Sequence, residues 1–118
     1  MKLYILSFLL LTALSAPAQK KSLYVYDEVV AQAKLELDSS MQYGILKEWG
    51  MKNNVKGEYI MDITIHEKGK VLSVFVISSD ADDVKMQNSV KDIIRTVVFN
   101  IKMPKGKTYK FQYTFNFR

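Results

Sequence analysis

The amino-acid sequence predicts an α+β domain: an N-terminal helical segment followed by a β-β-α-β antiparallel sheet with one helix packed on a face. Three observations carry this expectation. Apolar residues recur at helical spacing from about Tyr24 to Trp49, and the period changes to two at Glu58. From Tyr109 to Phe117 an aromatic residue then stands at every second position.

The first element is a leader. Lys2 precedes an uncharged run from Leu3 to Leu14, and Ala16-Pro17-Ala18 follows. That is the pattern of a secretory signal peptide over residues 1–18, with cleavage after Ala18. The run is short of the roughly 20 apolar residues that span a bilayer. No stable membrane span is therefore expected after cleavage, and the predicted location is periplasmic or secreted. The chain has no cysteine, which excludes disulfides, thiol catalysis, thiolate metal sites and a lipoprotein anchor.

Residues 19–56 form the predicted N-terminal helical segment and its loop. Val29, Val30, Ala33 and Leu37 keep one register, and Met41, Ile45 and Trp49 continue it. Ser39-Ser40 is expected to divide the segment, with Asp38 or Ser39 capping the second part. Gly50, Asn53-Asn54 and Gly57 mark the loop. Trp49 is read as a core contact between helix and sheet.

Residues 57–118 form the predicted core. Tyr59, Met61, Ile63 and Ile65 alternate with Ile60, Asp62, Thr64 and His66 in a first strand. Glu67-Lys68-Gly69-Lys70 is a hairpin turn, with Gly69 suited to positive φ. Val71 to Ser78 is a second strand, apolar on both faces, as a central strand would be. A helix starting near Ser78-Ser79-Asp80, with Asp82 and Asp83 in its first turn, carries the stripe Val90, Ile93, Ile94, Val97 and Val98. Phe99 to Met103 leads to a Pro104-Lys105-Gly106-Lys107 turn and the closing strand, Tyr109, Phe111, Tyr113, Phe115 and Phe117.

Apolar residues make up 48% of the chain and charged residues 25%, a globular composition. The leader holds Lys2 and no acid, so 16 basic residues oppose 12 acidic ones in the remainder, a net +4. The basic residues are scattered and read as a solvated surface. Together with the compartment, this argues against nucleic acid as a partner.

No catalytic constellation is visible, so the chain is not expected to be an enzyme, and neither a metal nor a cofactor is expected. His66 is the only histidine and has no Ser or Cys at a recognisable spacing. A hydrolase would need Ser78, Ser79 and His66 in one cleft. Counted from Asp80, an EF-hand would need Gly and Glu where Lys85 and Lys91 stand. The carboxylates Asp27, Glu28, Glu36 and Asp38 read as a solvated helix face.

The series Gly57-Glu58-Tyr59-Ile60-Met61-Asp62-Ile63-Thr64-Ile65, Lys68-Gly69-Lys70-Val71 and Val74-Phe75-Val76-Ile77-Ser78-Ser79 resembles the first hairpin of the TonB C-terminal domain. The helix, Phe99, the Pro-Lys-Gly turn and the closing strand ending Phe115-Asn116-Phe117 continue the likeness over about residues 57–118. Full TonB transducers have a membrane helix and a long Pro-rich spacer, whereas here a helical stretch replaces the usual Tyr-Pro segment. The resemblance therefore implies a free-standing periplasmic interaction module rather than a complete transport device. It further implies strand addition to an extended peptide of an outer-membrane receptor or another envelope protein. The candidate partner-binding edge strand is Tyr109, Phe111, Tyr113, Phe115 and Phe117. The alternative is a small secreted structural or inhibitory protein that self-associates, as a homodimer, through the same edge.

Overall fold

The structure is a computed structural model that describes residues 21–22, 25–80 and 83–117. The predicted leader, Tyr24 and Asp82 lie outside the described residues. In chain order the elements are β1 (Lys21–Ser22), α1 (Tyr26–Tyr43), α2 (Ile45–Lys52), β2 (Gly57–His66), β3 (Val71–Ser79), α3 (Val84–Arg95), β4 (Ile101–Lys102) and β5 (Thr108–Phe117). The protein is α+β. Its main sheet has the order β3-β2-β5, and both pairings are antiparallel.

The central strand is β2, not β3. Period-two alternation on β2 puts Tyr59, Met61, Ile63 and Ile65 on one face, and all four are fully buried. They pair with β5 in one unbroken register from Gly57↔Phe117 to His66↔Thr108. Facing the same way on β5 are Phe111, Phe115 and Phe117, buried, with Tyr109 and Tyr113 half-buried. The second strand, read as central from its apolar run, is an edge. Its pairing with β2 shifts at two places, each inserting one extra residue into β3, at Leu72 and Ile77. The bulges turn Leu72, Phe75 and Ile77 outward, and all three are at least half exposed. An apolar run therefore identified a strand but not its place in the sheet.

Helices α1 and α3 share one core with the inner face. Val29, Ala33 and Leu37 of α1 and Val90 and Ile94 of α3 are fully buried with the β2 residues. The N-terminal segment thus packs on the sheet. Its division falls at Gly44 rather than Ser39-Ser40. Gly44 is extended (φ −112°, ψ −152°), and Ser40, still helical, accepts a bond from the Leu46 amide at 3.2 Å. The serine caps α2 from inside α1. Trp49 is half-buried and meets Phe117 edge-on at 6.2 Å, a core contact.

Helix α3 starts later than expected. Asp83 is its N-cap and accepts from the Lys85 amide at 2.9 Å, so no acid occupies the first turn. Asp80 instead closes the end of the β2–β3 pair. Its carboxylate accepts from the Glu58 amide at 3.0 Å, and its own amide donates to the Glu58 carbonyl at 3.0 Å.

The opposite end is closed by a crossing. Phe99 donates its amide to the Gly69 carbonyl at 2.8 Å, and Met103 donates to the Glu67 carbonyl at 3.0 Å. The chain after α3 therefore passes over the β2–β3 turn, and β4 pairs there in parallel with β1. Gly69 has φ 77°, and an added Cβ would lie 2.2 Å from the Phe99 carbonyl oxygen. Gly106 has φ 80° but nothing within 4 Å. The two glycines separate conformational cost from steric cost. Gly106→Ala is expected to lose about 1–2 kcal/mol, the left-handed penalty alone. Gly69→Ala must also displace backbone and is expected to lose clearly more, about 3 kcal/mol or above. Urea unfolding of the two variants checks this, and equal losses would contradict the crossing.

Candidate functional site

The direction of the backbone groups on β2 fixes what β5 offers to solvent. Glu58 accepts from Asp80, and the His66 amide donates to the Lys70 carbonyl at 3.0 Å. Even-numbered residues of β2 therefore turn their backbone toward β3. Odd-numbered ones turn toward β5, because backbone groups alternate sides along a strand. The bulges lie on β3 and leave this parity intact. Odd pairs with odd across β2–β5, so the outward backbone groups of β5 belong to Thr108, Lys110, Gln112, Thr114 and Asn116.

The five aromatic residues of the candidate edge face the core by their burial, Phe111, Phe115 and Phe117 buried and Tyr109 and Tyr113 half-buried. Tyr109 meets Tyr26 at 5.8 Å, Phe111 meets Phe99 at 6.3 Å, and Tyr113 meets Phe115 at 4.6 Å, all edge-on. Phe117 lies between Trp49 and Tyr59. Gly50 is what lets α2 come this close, since an added Cβ would sit 2.7 Å from the Phe117 ring. The aromatics build the edge strand, while its contacts to any partner fall to their even-numbered neighbours. Alternation assigns the aromatics to the buried face, but which residues turn their backbone outward follows from the β2–β5 pairing.

Two tyrosine hydroxyls fasten α1 to β5. Tyr26 donates to the Lys110 carbonyl at 2.6 Å, and Tyr113 donates to the Asp38 carboxylate. The first bond occupies an outward acceptor, so the edge is engaged at Lys110 and continues beyond it through Gln112, Thr114 and Asn116. Beside that stretch runs a groove of about 660 Å³ between the end of α1, α2 and β5. Met41, Tyr43, Met51, Val55, Thr114 and Asn116 contribute to its walls, with Asp38 and Lys47 adding one charge of each sign. Tyr43 is 80% exposed and Met51 68% exposed, which among the described residues leaves apolar surface open beside the outer edge of β5.

His66 and the serines lie apart. His66 ends β2 at the turn, whereas Ser78 and Ser79 pair with Ile60 and Tyr59. At ~3.4 Å per residue that separates them by about 20 Å, well beyond hydrogen-bond reach. Among the described residues, no group of three His, Asp or Glu side chains is placed to hold a metal ion. No helix among them is long and apolar enough to cross a membrane. Comparison of the chain with family models, curated proteins and solved structures found no match.

Two phenols are held protonated. Burial pushes Tyr59 above its ordinary value of 10.0. Burial pushes Tyr113 up further, helped by its bond to Asp38 and by that carboxylate's charge. A phenol whose folded pKa exceeds its unfolded value adds stability that is complete below pH ~10 and is lost as pH rises through the folded value. Alkaline titration followed by tyrosinate absorbance should therefore show some tyrosines ionising late, together with loss of structure. Tyr113→Phe should remove one late step. Ionisation of every tyrosine near pH 10 with the fold intact would contradict this environment.

Proposed function

We propose that this domain is a periplasmic interaction module, similar to the TonB C-terminal domain, that binds an extended peptide of an envelope protein as an added strand. One observation carries the reading. The outer edge of β5 is regular and lies beside a groove of mixed polar and apolar lining, and among the described residues no strand pairs with the outward backbone groups of Gln112, Thr114 and Asn116. An added strand draws affinity from such backbone groups, and specificity from pockets that take alternate side chains. The other edge suits this less well, because bulges at Leu72 and Ile77 interrupt the spacing that a partner strand would need.

The parity of β5 supplies the test. Thr114 directs its amide outward, so Thr114→Pro removes a donor for a partner while sparing the ladder to β2. Tyr113 directs its amide toward Met61, so Tyr113→Pro removes a ladder hydrogen bond to β2 and destabilises the sheet itself. In-cell crosslinking of the tagged protein, read by mass spectrometry, is expected to recover an envelope protein. That capture should be lost in Thr114→Pro, with circular dichroism unchanged. Recovery of only a second copy of the chain would favour the self-associating structural or inhibitory reading. An undiminished partner in Thr114→Pro would sink strand addition at this edge.

A further inference from the structure

The lysines that are scattered along the sequence are gathered by the fold. The β2–β3 turn brings Lys68 and Lys70, and the chain after α3 crosses that turn carrying Lys102 and Lys105. A second concavity of about 500 Å³ lies between the two turns, lined by these four lysines with Glu67 and Met103. Lys107 and Lys110 follow at the start of β5, Lys110 within 3.6 Å of the Asp62 carboxylate, and all six lysines are exposed. Glu67 is the one acid lining this concavity, and its carboxylate accepts from the Gly106 amide at 2.7 Å. It ties one turn to the other and so sets the spacing of the lysines.

The far end of the sheet is different. There Lys52, Lys56 and Lys85 stand among Glu58, Asp80 and Asp83. The ten residues of β2 separate the two ends by about 30 Å, several Debye lengths at physiological salt. The positive field of the turn end is therefore local, not a property of net charge.

We infer that the turn end is a docking face for an anionic lipid surface. Lysine is a compact, mobile point charge, suited to a field of headgroup phosphates, whereas arginine would suit planar bidentate recognition of a single carboxylate. Apolar groups stand among the lysines. Val98, which bridges to Lys70, is 54% exposed, and Leu72 at the nearby bulge is 60% exposed. A basic face carrying a few exposed apolar side chains is the composition that settles into the headgroup layer. An acidic protein would satisfy the same charge, but the strand edges at this end are interrupted, by the Leu72 bulge on β3 and by the Tyr26–Lys110 bond on β5.

Vesicle co-sedimentation tests the inference, using protein recovered after export. Binding is expected to phosphatidylcholine vesicles doped with phosphatidylglycerol, to fall with added salt, and to be weak on phosphatidylcholine alone. A lysine near an anionic bilayer strengthens partition about fivefold. Lys102→Glu/Lys105→Glu should therefore reduce binding by at least about 30-fold. Lys52→Glu/Lys56→Glu carries the same net charge change at the other end, and should stay within about twofold of the parent. Equal losses in the two double variants would overturn the inference, leaving only net charge. So would a parent protein that ignores the anionic vesicles, or one that binds inorganic phosphate at this concavity without binding the vesicles. All four substitutions fall on exposed residues, and an unchanged unfolding midpoint would show that each variant is folded.

Discussion

The structure depends on the ten-residue pairing of β2 with β5. It joins residues about fifty positions apart in sequence, from Gly57↔Phe117 to His66↔Thr108, without a shift in register. Strand side chains alternate faces, so slipping this pair by one residue would move Phe111, Phe115 and Phe117 from core to solvent. Burial of a large aromatic side chain is worth about 1.5–3 kcal/mol each, which ties the register to the stability of the domain. Tyr26, Phe99, Trp49 and Tyr59 then meet rings presented by this one strand, with Tyr26 and Trp49 coming from the two N-terminal helices. The core is assembled around β5 as much as around β2.

The same register decides what each edge can do. Because β2 gives its even backbone groups to β3 and its odd ones to β5, the outward set of β5 is fixed as soon as the pairing is fixed. The two edges then diverge. The bulges of β3 leave Leu72, Phe75 and Ile77 exposed on a broken edge, which resists further pairing in the way edge strands are commonly protected. No shift interrupts β5. Its protection is partial and comes from elsewhere, through the Tyr26 hydroxyl on the Lys110 carbonyl. The edge is thus closed at one point and regular beyond it.

Much of this was legible in the sequence, because period and burial are local properties. Alternation from Tyr59 to Ile65 and from Tyr109 to Phe117 gave both strands and the face each buries. Strand order was not legible in the same way. LSVFVI, apolar on both faces, suggests a central strand, but a bulge is a property of a pair, and β3 alone does not show where one falls. The helix division followed a similar rule. Ser39-Ser40 offers capping hydroxyls, but the chain leaves α1 at Gly44, where an added Cβ would lie 3.0 Å from the Ser40 Cα, and Ser40 serves the next helix from where it is. At the candidate edge, sequence picked out the aromatics, whereas the groups left for a partner are the backbone of the polar residues between them. The lysine cluster was hidden most completely. Lys68 and Lys105 come to one concavity because the Phe99 amide reaches Gly69, where a side chain would collide with the crossing chain, and because Glu67 holds Met103 and Gly106.

That crossing also sets the distance between the two surfaces. The groove lies along Tyr113 to Phe117, at the end of the sheet where β2 begins, and the lysines lie at the end where β2 turns. At ~3.4 Å per residue, Thr114 to Lys107 spans about 24 Å, more than two Debye lengths at physiological salt. Charge at one end is therefore screened from the other, and the Tyr26–Lys110 bond stands between them. A peptide added along Gln112 to Asn116 leaves the lysines uncovered, and a surface meeting the lysines leaves the groove open. Nothing in the geometry makes the two occupancies exclusive. The proposed strand-addition edge and the proposed docking face are thus independent surfaces of one domain.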